Sequence, residues 1–305
     1  MGIVEGLRGI SGAMVLENEP MALHTTFKIG GPIRAIVYPN TFEALGKVMG
    51  LLGARGVEPF VLGNGSNLLC GDGAIDRIAV CTRPGGSDYL PYMELIEKTE
   101  VLAVSAGAML PQVAMLALGE SLSGMEFAAG IPGTLGGAVR MNAGAYGREM
   151  KDIVRMVETI TLEGQIKLYL EENLEFSYRH SIFSERSDEI ISKVFLNLEP
   201  GERDEIQAEM RKLSNKRKAS QPLDLPSAGS TFKRPAGGYA AELIDKAGLK
   251  GFAVGGAQVS EKHAGFIVNR GGATCDDVLR VMEHVQEEVL KQFGVALEPE
   301  VLLVR

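Results

Sequence analysis

Gly130-Ile-Pro-Gly-Thr-Leu-Gly-Gly-Ala-Val-Arg-Met-Asn-Ala-Gly-Ala-Tyr-Gly147 decides how this chain is read. Six glycines fall in a run that is neither polar nor repetitive, so it is not a linker. Glycine at this density admits positive φ and lets backbone approach a ligand with no Cβ in the way. Pro132 suits the first residue of a short helix, where its missing N–H costs nothing. A helix start among glycines presents free N–H groups and a positive dipole end, which favours phosphate. Tight turns packed inside a glycine-rich fold are the competing reading.

A second loop, Gly63-Asn-Gly-Ser-Asn67, follows the apolar run Pro59-Phe-Val-Leu62. Its small polar side chains and glycines suit a nest of N–H donors. It is not the dinucleotide fingerprint, because Leu68 stands where the third glycine belongs and strand, not helix, follows. No G-x-x-x-x-G-K-[ST] occurs, which excludes a P-loop. Two glycine loops from distant parts of one chain point to one elongated, phosphate-bearing ligand.

Composition sets limits. The 305 residues suffice for two or three domains and a sizeable core. A net charge of −8 argues against non-specific nucleic-acid binding, which needs a basic field. Cys70, Cys81 and Cys275 form no C-x-x-C pair and fit a reduced compartment. His24, His180, His263 and His284 have no ligand spacing, so no metal is expected. The first fourteen residues lack a sustained apolar core and no run is long enough to span a bilayer. The expectation is a cytoplasmic protein with no membrane partner.

Strands and helices interleave along the chain. Residues 34–39 read as a strand; Thr41 then caps a helix carrying Leu45, Val48, Met49 and Leu52 at helical spacing, which Gly56 can end. Further strands are expected at 59–62 and 77–82, two runs between Tyr92 and Ser105 around Lys98, and a short helix at 110–118. Residues 153–162 and 165–170 predict a hairpin around Glu163-Gly164, and 190–198 a strand ended by Glu199-Pro-Gly201. Glu202 to Lys218 reads as a charged helix, acidic early and basic late, matching the helix dipole. Its basic end reads as a solvated helix terminus, with one or two cations available to an anionic substrate. Thr274 caps a long final helix ended by Gly294, and 300–304 is a closing strand.

Three clusters carry candidate chemistry: Ser177-Tyr-Arg-His-Ser-Ile-Phe183, Pro226-Ser-Ala-Gly-Ser-Thr-Phe-Lys-Arg-Pro235 and Leu297-Glu-Pro-Glu-Val301. Separately, Arg179 reads as a surface ion-pair residue, Ser230 as a turn hydroxyl exposed by Gly229, and Glu300 as an exposed carboxylate. Together with the two glycine loops, their order and wording resemble the UDP-N-acetylenolpyruvoylglucosamine reductases, the flavoenzyme family known as MurB. The resemblance runs from Thr25-Thr-Phe-Lys-Ile-Gly-Gly31 to the C-terminus. The spacing between Tyr178-Arg179 and Ser230 leaves no room for the tyrosine-bearing loop of one branch, so the chain resembles the shorter, second type.

The resemblance implies an α+β fold: a two-lobed FAD-binding domain of the vanillyl-alcohol-oxidase (PCMH) type, not a Rossmann fold, and a C-terminal α+β substrate-binding domain. The implied boundaries are 1–84 and 85–200 for the two lobes and 201–305 for the substrate domain. FAD, tightly bound, is implied to lie against Gly63, Asn64, Gly65, Ser66 and Asn67. From the opening segment it would meet Gly130, Ile131, Pro132, Gly133 and Thr134, then Gly136, Gly137, Asn142, Ala143 and Gly144, with Thr26 nearby. NADPH is the implied reductant and a UDP-sugar the substrate. Hydride would pass through flavin to the enolpyruvyl ether of UDP-N-acetylglucosamine, giving UDP-N-acetylmuramate for peptidoglycan. Arg179 is implied to hold the substrate carboxylate with a fixed fork of donors, and Ser230 to give the proton. Glu300 would stabilise the enolate from its protonated form or orient Arg179. Tyr178 and Lys233 are implied to touch substrate, Lys233 also as a helper to Ser230.

The sequence departs from the family at Arg234, where Asn is common, at Ser184, where a basic residue is common, and at Ser220, where the longer type has lysine. Lys218, Arg217 and Lys233 are the candidate replacements. Two other readings fit the residues: an FAD-dependent oxidase or dehydrogenase of another alcohol, and a non-catalytic sugar-nucleotide-binding protein.

Overall fold

In the computed structural model, the described residues are 2–83, 92–96 and 99–305. The boundary expected at 84/85 and Lys98 of the expected strand turn lie outside them. The chain forms two compact units: Met1–Glu17, Ala35–Asn64 and Arg77–Asn215 make the first, and Asn18–Arg34, Gly65–Asp76 and Lys216–Arg305 the second.

Three helices of the first unit, α1 (Ile3–Arg8), α2 (Phe42–Ala54) and α3 (Leu110–Gly119), show how the sequence dictates them. Thr41 stays extended and its hydroxyl accepts from Ala44 N at 3.0 Å, satisfying a donor that α2 leaves free. Ala44, Leu45, Val48, Met49 and Leu52 bury one face of α2; each large side chain contributes roughly 1.5–3 kcal/mol. Gly56, at φ 62, supplies the left-handed exit. Pro111 sits in the first turn of α3, where the lost N–H is harmless.

Beside α2 stands a four-stranded sheet in the order Ala13–Pro20, Pro32–Pro39, Ile75–Cys81, Phe60–Leu62. Its last pair is parallel, with Val61 opposite Val80. The α1 helix and strand 13–20 carry no cap or alternation that marks them in the sequence. The second sheet of this unit is antiparallel throughout, in the order Ile166–Leu170, Val154–Thr161, Glu189–Asn197, Val101–Ser105, Met93–Leu95. The hairpin at Glu163-Gly164 is present, with Gly164 at φ 75. The first unit therefore holds two apolar cores. One gathers Leu7, Val37, Leu52, Ile78 and Val80, the other Leu102, Leu110, Leu135, Val157 and Val194.

Two more helices belong here: α4 (Leu135–Arg140), and α5 (Arg203–Ser220), within which the chain passes to the second unit. In the second unit, α6 (Ala240–Lys246) and α7 (Cys275–Phe293) pack with an antiparallel sheet ordered Ser227–Ser230, Phe266–Asn269, Ala257–Val259, Ala253–Val254. Thr274 and Asp277 form a reciprocal cap on α7, and Gly294 closes it at φ 69. Val278, Val281, Val285 and Val289 are fully buried on its inner face. Leu302–Val304 runs parallel to Leu68–Cys70.

Two glycines of α2 offer a paired test. A Cβ at Gly53 would fall 2.2 Å from the Leu162 carbonyl, whereas at Gly50 nothing among the described residues outside its own helix backbone lies within 4 Å. Gly50→Ala should raise the unfolding free energy in urea by about 1 kcal/mol. Gly53→Ala should lower it despite the same gain in helix propensity, because backbone must move. Equal shifts for both variants would disprove the packing of α2 on residue 162.

Candidate active site

The two glycine loops meet in the first unit. A Cβ on Gly63 would stand 2.5 Å from Thr134 Oγ1, so only glycine lets the strands' ends approach this closely. Beside it, Asn64 Nδ2 donates to the Pro132 carbonyl at 2.7 Å, and Arg83 Nη1 donates to Asn64 Oδ1. Arg83 follows the strand that ends at Cys81 and fixes the Asn64 amide; nothing in its local sequence marked it.

The structure alters the reading of the opening segment. Pro132 is not helical: α4 begins at Leu135, with Thr134 as its N-cap accepting from Gly137 N at 3.4 Å. Pro132 instead presents its carbonyl to Asn64. Several residues expected against the cofactor face the protein. Thr134 is buried. A Cβ at Gly136 would lie 2.8 Å from the Ala106 Cβ, and one at Gly65, in the second unit, 2.1 Å from the His24 carbonyl. Gly144 is likewise filled by the Arg148 and Glu149 backbone. Ala143 N donates to Ala138 O, and Ile131 N to Ala128 O. Gly137 differs: it is exposed, and among the described residues outside its own helix backbone only the Thr134 hydroxyl lies within 4 Å of its missing Cβ, at 3.2 Å. Gly130 and Pro132 are exposed, and Gly133 is half-buried.

Asn142 is fully buried at φ 40. Its Nδ2 donates to Glu149 Oε2 at 3.1 Å and to the Ser177 carbonyl at 2.9 Å, while its Oδ1 accepts from Lys151 N at 3.0 Å. Protein groups thus take all three of these side-chain bonds. The following Gly144–Glu149 hairpin turns on Tyr146 (φ 57) and Gly147 (φ 88), a pair of left-handed residues that a type I′ turn requires. The Tyr146 hydroxyl donates to the Leu213 carbonyl of α5 at 3.1 Å.

Arg179 occupies a two-residue turn in the same unit. Ser177 N donates to His180 O at 3.1 Å, and His180 N to Ser177 O at 3.2 Å, with Tyr178 and Arg179 between them. Arg179 takes φ 56, a region that costs a side-chain-bearing residue about 1–2 kcal/mol. Its guanidinium lies 5.1 Å from the centre of the exposed Tyr178 ring. Ser184, where the family favours a basic residue, donates its hydroxyl to the Arg140 carbonyl at 2.9 Å.

The second unit brings Ser230 and Glu300 onto adjoining backbone. Glu300 N donates to Thr231 O at 2.8 Å, Lys233 N to Glu298 O at 2.8 Å, and Phe232 bridges Pro299. Gly229 at φ 78 precedes the exposed Ser230; Glu300 is half-buried. From the glycine loop, Asn67 Nδ2 donates to Glu300 O at 3.1 Å. Thr26 N donates to Gly65 O at 3.2 Å, and Thr26 Oγ1 to Ser227 O at 2.7 Å. Half-buried Ser66 lies between Gly65 and Asn67. Lys233 Nζ is bonded to Glu298 Oε1, which gives the expected helper of Ser230 a partner of its own. Arg234 stacks over the exposed Tyr239 ring at 4.4 Å. Among the described residues, no cluster of His, Cys, Asp or Glu can hold a metal ion. None of their helices is long and apolar enough to cross a membrane.

Comparison with known proteins decides the family. The chain is 46% identical over 289 residues to the UDP-N-acetylenolpyruvoylglucosamine reductase of Caldanaerobacter subterraneus subsp. tengcongensis, covering 94% of this chain and 92% of that one. This chain belongs to the UDP-N-acetylenolpyruvoylglucosamine reductase family. A protein of the same name from Lachnoclostridium phytofermentans is 44% identical over 99% of this chain and 97% of its own. The family model for the reductase's C-terminal domain matches residues 221–304, and that for an FAD binding domain matches residues 33–168. The crystal structure of the MurB reductase from Thermus caldophilus superposes with a TM-score of 0.79 at 35% identity, over 96% of this chain and 99% of that one. The chain is thus an FAD-dependent oxidoreductase of the reductase family, with the α+β architecture read from its motifs.

The residues present suit FAD. The joined loops offer neutral backbone free of Cβ at exposed Gly137, an amide at Asn64, and a cation at Arg83, a donor set matched to a diphosphate. The packing role of Gly63 and the open side of Gly137 separate in experiment. Gly137→Ala should leave apoprotein stability within about 0.5 kcal/mol yet weaken FAD in a fluorescence-quenching titration. Gly63→Ala should lower both. Wild-type flavin affinity in Gly137→Ala would remove that face of α4 from the cofactor site.

Proposed function

We propose that this chain catalyses the NADPH-driven, FAD-mediated reduction of UDP-N-acetyl-3-O-(1-carboxyvinyl)-glucosamine to UDP-N-acetylmuramate, a cytoplasmic step toward peptidoglycan. Family membership supports the reaction. The observation that carries the residue assignment is the ladder of Thr231–Lys233 on Glu298–Glu300, which joins two motifs about seventy positions apart. The proposed domains are two lobes at 1–84 and 85–200 and a substrate domain at 201–305, the last supported by a core whose buried members, apart from Phe27, Ile29 and Leu69, follow residue 227. Buried free thiols at Cys70, Cys81 and Cys275 agree with a reducing compartment. The ligand is a small molecule; neither nucleic acid nor membrane is needed.

Held beside Asn64, Arg83 and the open face at Gly137, FAD would supply a two-electron hydride relay from NADPH to the substrate. Reduction of the vinyl group at its outer carbon leaves negative charge on the inner carbon and the neighbouring carboxylate. Arg179 holds this carboxylate with parallel N–H donors and opposes the charge as it grows. Glu300, to help an enolate, donates from a protonated carboxyl. Ser230 gives its proton to the inner carbon, completing the lactyl ether; the hydroxyl then regains a proton from solvent. The exposed setting of Ser230 after a left-handed glycine suits that exchange. Tyr178 and Lys233 contact the substrate, and the cofactor lies against the exposed backbone of Gly130, Pro132 and Gly137 beside Asn64.

Anaerobic half-reactions test the assignment. NADPH should bleach the flavin, and the enolpyruvyl substrate, but not simple alcohols, should restore its colour. Ser230→Ala should keep the bleaching and lose about 10²–10⁴-fold in turnover. Glu300→Gln should slow restoration by about 10²–10³-fold. A wild-type rate in either variant rejects that residue's role, and a protein without flavin absorbance rejects the reaction.

A further inference from the structure

We propose that Arg140 and Asn142 are positioning residues that together hold the Arg179 turn in its reactive geometry, an inference that rests on the assignment of Arg179 to the substrate carboxylate. Both lie within the glycine segment, and both side chains bond to protein groups. Asn142 Nδ2 takes the Ser177 carbonyl immediately before the turn, at 2.9 Å. Arg140 takes the far side with a two-pronged fork: Nη1 to the Phe183 carbonyl at 3.1 Å and Nη2 to the Ser184 carbonyl at 3.0 Å. The Arg140 carbonyl in turn accepts from the hydroxyls of Ser181 and Ser184, each at 2.9 Å. Segment 177–184 is therefore fixed on both flanks of Arg179 to two residues, Arg140 at the end of α4 and Asn142 just beyond it.

Such fixing has a reason. A left-handed arginine in a two-residue turn is not the local preference, so an untethered segment would relax toward ordinary backbone angles. Arg179 would then carry its guanidinium elsewhere. Burial supports the fork: desolvation holds the Arg140 guanidinium below its ordinary pKa, the signature of a cation whose place is inside the protein. Asn142 itself is anchored by Glu149 and by Lys151 N, so the amide cannot turn away from Ser177.

Asn142→Gly is the cleanest test, because glycine accepts φ 40 while removing the amide. Amide hydrogen exchange at Ser177 and His180 should quicken about tenfold or more. Flavin content and NADPH bleaching should stay within about twofold of wild type, while substrate-driven reoxidation at saturating substrate falls about 10–100-fold, the cost of a misplaced contact. Placed in an Arg179→Ala background, Asn142→Gly should add less than about twofold, since it acts through Arg179. Arg140→Lys, which keeps the charge and loses the fork, should shift exchange and reoxidation in the same direction and serves if Asn142→Gly fails to fold. Unchanged exchange, or a full additional loss in the Arg179→Ala background, overturns the clamp. Arg179→Ala with wild-type reoxidation overturns instead the assignment of Arg179 on which the clamp depends, and is told apart by that single variant.

Discussion

The first unit turns on one contact: the Thr134 hydroxyl lies where Gly63 would carry a Cβ. That approach joins loops about seventy residues apart, and Thr134 uses the same oxygen to cap α4 through Gly137 N. The helix so placed ends at Arg140, and Arg140 and Asn142 just beyond it reach segment 177–184. A chain of short-range constraints thus runs from a missing methyl group to the arginine turn. Bulk at Gly63 would be felt at each step, since close-packed interiors transmit small displacements.

The second unit solves a similar problem differently. Two extended segments hydrogen-bond to each other and fix Ser230 and Glu300 by register, and the buried Thr231 hydroxyl accepts from Ile267 N at 3.2 Å to anchor the first of them. Asn67 binds the Glu300 carbonyl, leaving the carboxyl chemistry to its own side chain. Backbone pairing suits such a site because it sets position without consuming the reactive groups.

Local signals made much of this fold legible. Thr41 and Thr274 cap their helices, Gly164 turns its hairpin and Gly294 ends α7, each a decision made within a few residues. The strands at 253–254 and 257–259 flank Gly255-Gly256, a two-residue turn signal with Gly255 at φ 51; the helix at 3–8 and the strand at 13–20 are made by tertiary packing. In the site, the motifs located the right segments but not the direction of each group. Pro132 read as a helix start because Pro favours that position, yet Thr134 is the better cap and wins. The bond from Asn142 to Ser177 was not legible, because the two lie 35 positions apart and no local rule reports it.

Backbone strain ties these observations together. Among the described residues, seven without the freedom of glycine have positive φ, and Asn142, Tyr146, Glu175 and Arg179 lie in the glycine segment or the arginine loop. Strain gathered in this way persists only where surrounding bonds over-determine it. Each of the best-defined cases has such bonds: three at the Asn142 side chain, a tyrosine hydroxyl on α5, and two across the Arg179 turn. The glycines of the opening segment therefore serve a purpose beyond exposing backbone. By letting α4 and its neighbours pack at short range, they make a scaffold stiff enough to keep a charged side chain in a conformation it would not choose alone.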